Sequence, residues 1–165
     1  MKLDTLPSLY AAEIHELLGA ERLLATAFEK LAVAASHVEL CQALVSHAAE
    51  STRHAERLAS ILDESENPPR RRPTSPGAAG LLAEADARIH AAGDAHVRDL
   101  AIVGVARRAM HYEIVSYLTV IAWARALGRN EDILLLEATL DEERQSDDWL
   151  SRIALAALHA EARVT

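Results

Sequence analysis

Four of the five prolines, Pro68, Pro69, Pro73 and Pro76, fall within one short stretch, and the fifth, Pro7, stands near the start. Proline lacks a backbone donor and clashes with the preceding helical turn. Helices must therefore stop at that stretch and are free to run long on either side of it. The rest of the chain is rich in Ala and Leu, strong helix formers, and poor in Gly. The expectation is an all-α chain: two long helices, an irregular connection over about residues 63–77, a short helix, then two more long helices.

Periodicity sets the limits. The first helix is predicted from Pro7 to Ala35, with Tyr10, Ile14, Leu17, Leu24, Phe28 and Leu31 on one stripe. Ser36 is read as the cap of the second, which runs to about Leu62 with Leu40, Leu44, Ala48, Ala55, Leu58 and Ile61 on its stripe. A short helix is expected from Ala78 to Ala91, ended by Gly93-Asp94. The third long helix runs from His96 to Leu127 and stops at Gly128; Asn130 is read as the cap of the fourth, which extends to about Ala162. Two helical hairpins joined by a connection long enough to cross the end of a bundle give a ferritin-like four-helix bundle with one long crossover, in a single domain over residues 1–165.

A formal net charge of -8 argues against nucleic acid or anionic lipid as the main partner. Cys41 is the one cysteine, so no internal disulfide forms and a reducing compartment suits the chain. There is no apolar signal-peptide core near the start, and no run of roughly 18 apolar residues; both predict a cytoplasmic protein without a membrane span. The run Arg70-Arg71-Arg72 is read as a solvated linker rather than a docking patch.

The acids are less ordinary. At about 100° per residue, Glu21 falls among Leu17, Leu24 and Phe28, inside the first stripe. Glu143 and Asp147 occupy the centre of the fourth stripe, defined by Leu136, Leu140, Leu150 and Ala154, while Glu142 points toward solvent. In the second helix His47 and His54 lie in the stripe and Glu50 at its margin; Glu50 and His54 are one turn apart. Glu113 lies inside the wide apolar face of the third. The two hairpins echo each other, since an acid or histidine follows Glu50 and Glu143 by one turn. Facing carboxylates in a core would repel and take up protons, unless one or two cations bind between them. Bundles with a Glu from two helices and a Glu/His pair from the others hold di-iron or di-manganese centres in this way.

The segments AERLLATAFEKLA, ESTRHAERL, ARRAMHYEIVSYLTV and LLEATLDEERQSDDWL resemble the YciE/YciF family of ferritin-like proteins, over about Tyr10 to Leu158. The resemblance implies a bacterial cytoplasmic bundle, often dimeric and associated with stress responses. Its implied metal ligands are Glu21, Glu50, His54, Glu113, Glu143 and Asp147, in agreement with the helical-face reading. The chain departs from the family pattern in one place and from the wider ferritin-like Glu-x-x-His pattern in two. Ala49 stands where a second acid is common, Glu50 and His54 are four apart rather than three, and Asp147 replaces a histidine.

The expected function is a di-metal carboxylate protein holding two iron ions (or manganese), with ferroxidase or peroxide-consuming activity toward dioxygen or peroxide. Glu50 and Glu143 would bridge the ions, Glu21 and Glu113 would be terminal ligands, and His54 and Asp147 would complete the site. The alternative is a non-catalytic, stress-associated structural or interaction module whose metal, if any, only stabilises the bundle. A homodimer is expected rather than a many-subunit cage. His47 is read as a hydrogen-bonded core residue that could also be an extra ligand, Tyr117 as core packing that could also donate to a carboxylate, His111 as surface or a supporting position, and Cys41 as a small buried residue. His15, His37, His90, His96 and His159 receive no role, and Trp123 and Trp149 are read as marking a packed end or a subunit contact.

Overall fold

The computed structural model describes residues 3–63 and 71–161, the last five of these by their backbone alone. Its helices are α1 (Leu6–Ala34), α2 (Val38–Asp63), α3 (Pro76–Ala91), α4 (Ala95–Ala126) and α5 (Asn130–Glu161). The long helices α1, α2, α4 and α5 form the bundle. α1 packs on α2 and α4, α5 packs on α4 and α2, and α3 lies against α4 and α1. This is the all-α, ferritin-like arrangement with a long crossover and a short extra helix. Among the described residues no helix is long and apolar enough to cross a membrane.

Local chemistry explains most helix ends. Thr5 and Ser8 form a reciprocal capping box at the start of α1, with Pro7 in the first turn. Ser75 caps α3, and Pro76 is tolerated in its first turn, so the helix starts slightly before the expected Ala78. Asp94 caps α4 through the amides of His96 and Val97. Gly128 ends α4 at φ 69°, with its amide donating to Arg125 and that of Arg129 to Ala124. These two bonds make a Schellman turn, which needs the left-handed conformation that glycine adopts without strain.

The turn between α1 and α2 differs from the sequence expectation. α2 begins at Val38, so His37 rather than Ser36 adjoins its first residue, and the amides of Ser36 and His37 donate to the carboxylate of Asp99 on α4 at 2.8 and 2.9 Å. The crossover is pinned at its far end. A Cβ on Gly19 of α1 would stand 2.6 Å from the Thr74 backbone, so only glycine lets the returning chain lie this close. Pro68, Pro69 and Arg70 of the expected linker lie outside the described residues, as does Ala162; Arg71 and Arg72 are exposed.

Candidate metal centre

Midway along the bundle the apolar core gives way to ionisable side chains. Glu21 of α1, His47 and His54 of α2, Glu113 of α4 and Glu143 of α5 are all fully buried. Leu17, Leu24 and Phe28 continue the α1 stripe above and below Glu21, and Met110, Ile114 and Tyr117 flank Glu113. Helical spacing thus commits each acid to the interior, because rotating it outward would carry the apolar stripe into water.

His54 Nδ1 lies 3.1 Å from Glu143 Oε1 and 3.3 Å from Glu21 Oε1. His47 Nε2 lies 3.8 Å from Glu143 Oε2, and its Nδ1 lies 3.4 Å from Glu50 Oε2. Potential ligand atoms fall into two trios, Glu21–His54–Glu143 and His47–Glu113–Glu143, each within 4.8 Å, and Glu143 belongs to both. Tyr117 donates its hydroxyl to Glu21 at 2.5 Å, and the Phe28 ring meets the His47 ring edge-on at 4.4 Å.

Electrostatics mark the cluster as strained toward protonation. Burial, then repulsion from Glu21 and Glu143, pushes the Glu113 carboxyl well above the carboxylate range. Burial likewise raises Glu143, although His47 and His54 pull it back. Burial lowers both histidines, but neighbouring carboxylates outweigh it: His47 is raised, and His54 is pushed up to about 10. The Tyr117 hydroxyl is raised by burial and by Glu21.

Protons alone leave the cluster poorly satisfied. Both oxygens of Glu113, both of Glu143, Oε2 of Glu21, both nitrogens of His47 and Nδ1 of His54 have no hydrogen-bond partner among the described residues. Buried polar atoms are almost always paired, so this many at one point form a cluster that could hold a metal ion. Oxygen and imidazole donors in two trios sharing one carboxylate fit a pair of hard or borderline divalent cations such as iron or manganese.

The six sequence-derived ligands do not all reach this point. The structure brings Glu21, His54, Glu113 and Glu143 together. Glu50 stands at the rim, its side chain 21% exposed, accepting from Ser146 at 2.7 Å. Asp147 stands apart from the two trios. It lies on the inward stripe, but Arg107 of α4 holds its carboxylate at 2.7 and 3.1 Å, and His111 lies 3.1 Å away. This ion pairing turns it from the cluster and holds its pKa low against the upward pull of burial. His47, the candidate extra ligand, is buried and a member of one trio. Tyr117 does pack in the core, as expected, and also holds Glu21. Cys41 is half-buried rather than buried.

Glu142 departs from its expected direction. Its carboxylate is only partly exposed and reaches across to α2. There it accepts from both Arg57 terminal nitrogens at 2.8 and 3.0 Å and lies 2.8 Å from His54 Nε2. The Arg57 guanidinium, then burial and His54, set its pKa, which falls to about 2. The signal available in sequence was Arg57, one turn beyond His54 on α2 and able to meet an acid from the facing helix.

Comparison with known proteins agrees with this architecture. Residues 5–163 match the family described as Domain of unknown function (DUF892). The chain is 31% identical over 162 residues to Protein YciF of Escherichia coli (strain K12), covering 98% of each. The crystal structure of the E. coli stress protein YciF superposes with a TM-score of 0.90 at 30% identity, covering 95% of this chain and 99% of that one. YcfI of Rhodopseudomonas palustris gives a TM-score of 0.85 at 31% identity, covering 92% and 97%.

Proposed function

The chain belongs to the YciF-like DUF892 family, and on that premise we propose that it is a di-metal carboxylate protein that binds iron, or manganese, between its four long helices and consumes dioxygen or peroxide there. The observation that carries this reading is the set of buried carboxylate and imidazole atoms without hydrogen-bond partners, arranged as two trios around Glu143. Glu21, His54 and Glu143 would hold one ion and His47, Glu113 and Glu143 the other, with Glu50 adding a carboxylate from the rim. When bound, the pair of ions supplies two one-electron couples side by side, matching a two-electron oxidant.

The chain's own residues do the rest. Tyr117 fixes the Glu21 carboxylate through its hydroxyl. Glu142, itself clamped by Arg57, accepts from His54 Nε2 and so leaves Nδ1 facing the cluster as a lone pair when that nitrogen is unprotonated. Leu17, Leu24, Phe28 and Met110 are buried on the stripes that carry the site and keep bulk water out.

A second reading has one observation in its favour. Glu21, His47, His54, Glu113 and Glu143 are wholly inaccessible, which suits a metal that only stabilises a stress-associated structural or interaction module. Anaerobic Fe(II) titration of metal-free protein, followed by air or peroxide, separates the two. The proposal expects two ions per chain in the parent, a ferric absorption band on oxidant addition, and loss of both in Glu143→Ala. Uptake without oxidation selects the structural module, and no uptake by the parent removes the metal from both readings.

A further inference from the structure

The buried cluster needs a path for its cation, and one side of the bundle offers it. Between α2 and α5 lies an open cleft of about 330 Å³, lined by Glu50, Glu142, Gln145, Ser146, Asp148 and Arg152 among others. Glu50, Glu142 and Asp148 face Arg152 there, and even with Arg57 clamped on Glu142 the acids outnumber the arginines by one, so the cleft attracts cations. Glu50 is shared between cleft and interior. Its Oε2 accepts from Ser146 at 2.7 Å and stands 3.4 Å from His47 Nδ1. His47 is fully buried, has no hydrogen-bond partner on either nitrogen, and presents Nε2 to Glu143 at 3.8 Å. Cleft, Glu50, His47 and Glu143 therefore form a continuous series of donor atoms, each within one coordination sphere of the next.

Other clefts are less suited. The one between α1 and α2 sets Arg22 beside Glu29 and Glu56 and is floored by Ala25, Ala55 and Ala59. The one where the crossover meets α1 carries Arg22 and Arg72 and no acid.

We propose that the α2–α5 cleft is the route by which a divalent cation reaches the cluster, and that Glu50 takes the ion from the cleft and passes it inward to His47 and Glu143. This rests on the metal-binding reading above. A hydrated ion loses its waters reluctantly, and a carboxylate that is half in water can replace them one at a time. Glu50 has that position. Ser146 holds its carboxylate turned toward His47, and Ser46 lies 3.5 Å from its other oxygen.

The test is the rate of Co(II) uptake by metal-free full-length protein, followed by stopped-flow visible absorption at several ionic strengths. The double variant Gln145→Lys/Asp148→Lys changes exposed positions that touch no member of the cluster. It should slow association about tenfold at low salt, leave dissociation unchanged, and regain the parental rate at high salt. Glu50→Gln should slow uptake at every salt concentration, because it removes the relay rather than the field. Glu56→Lys, in the α1–α2 cleft, should take up Co(II) at the parental rate. Uptake by the double variant at the parental rate at low salt, or equal slowing by Glu56→Lys, overturns the route while leaving the metal site standing. Failure of the parent to bind Co(II) removes the metal reading and the route with it.

Discussion

Stripping the metal should make the bundle's stability fall as pH rises through neutrality, the reverse of what most carboxylate-rich proteins show. His54 has an ordinary pKa of 6.5 when unfolded and one of about 10 when folded without metal. A group raised on folding contributes stability that is fully present below its unfolded pKa and lost as pH climbs through the folded one. One retained proton amounts to roughly 1.4 kcal/mol per pH unit, so His54 alone gives a downward slope of about that size above pH ~6.5. His47, Glu113 and Glu143 are raised too, so each acts in the same direction, the two acids from above the ordinary carboxylate value of 4.5. Glu142, lowered to about 2, acts oppositely: its contribution is present above 4.5 and is lost as pH falls. Glu50 and Asp147, also lowered, add to that acid limb. Metal-free protein should therefore be most stable in mild acid. Manganese at about 100 times its dissociation constant should add ~2.7 kcal/mol at neutral pH, or roughly 5–10 °C in melting temperature for a chain of this size. That gain should shrink in mild acid, where protons occupy the same groups. Urea unfolding followed by far-UV circular dichroism, with chelator and with Mn(II), measures both effects. A metal-free stability that is flat or rising between about pH 7 and pH 9 would refute the reasoning.

Two further outcomes are expected. Glu142→Gln and Arg57→Ala should each weaken metal affinity about 10- to 100-fold in chelator competition while leaving helix content unchanged, because they release His54 without removing a ligand. Gly19→Val should cost at least ~1–3 kcal/mol in thermal unfolding, since the Thr74 backbone lies 2.6 Å from the new Cβ; an unchanged melting temperature would show that the crossover is not pinned there.

Much of the architecture was legible because helices record their surroundings with a fixed period. The stripes through Tyr10, Ile14 and Leu17, or through Leu136, Leu140 and Leu150, leave one packing solution, and the proline cluster divides the hairpins. The burial of Glu21, Glu113 and Glu143 followed directly, since an acid flanked by buried apolar residues on its helix face must itself be buried. The cap of α2 could not be read in the same way. Asp99 lies far from Ser36 in sequence and meets it only because α4 returns beside that turn. The start of α3 was displaced by a simpler cause: a proline in the first turn begins a helix as readily as it breaks one.

The placements of Glu142 and Asp147 share one physical origin. Helical angle fixes the direction in which a side chain leaves its axis, and it says nothing about where a long side chain ends. Glu142 leaves α5 beside the seam with α2 and is drawn back by Arg57. Asp147 leaves on the inward stripe and is drawn aside by Arg107. In both cases a guanidinium on a facing helix decides, offering a fork that matches a carboxylate. The consequence for Asp147 can be argued from charge. On the proposed reading Glu21, Glu50, Glu113 and Glu143, ionised as ligands, would balance two divalent cations, with His47 and His54 neutral. A further carboxylate would leave the loaded core negative, which burial penalises. Arg107 cancels that extra charge outside the cluster, so the acid that breaks the symmetry between the hairpins serves to brace α4 against α5. The repeat in the sequence marks two equivalent helix pairs, and the arginines decide which of their acids face the buried cluster.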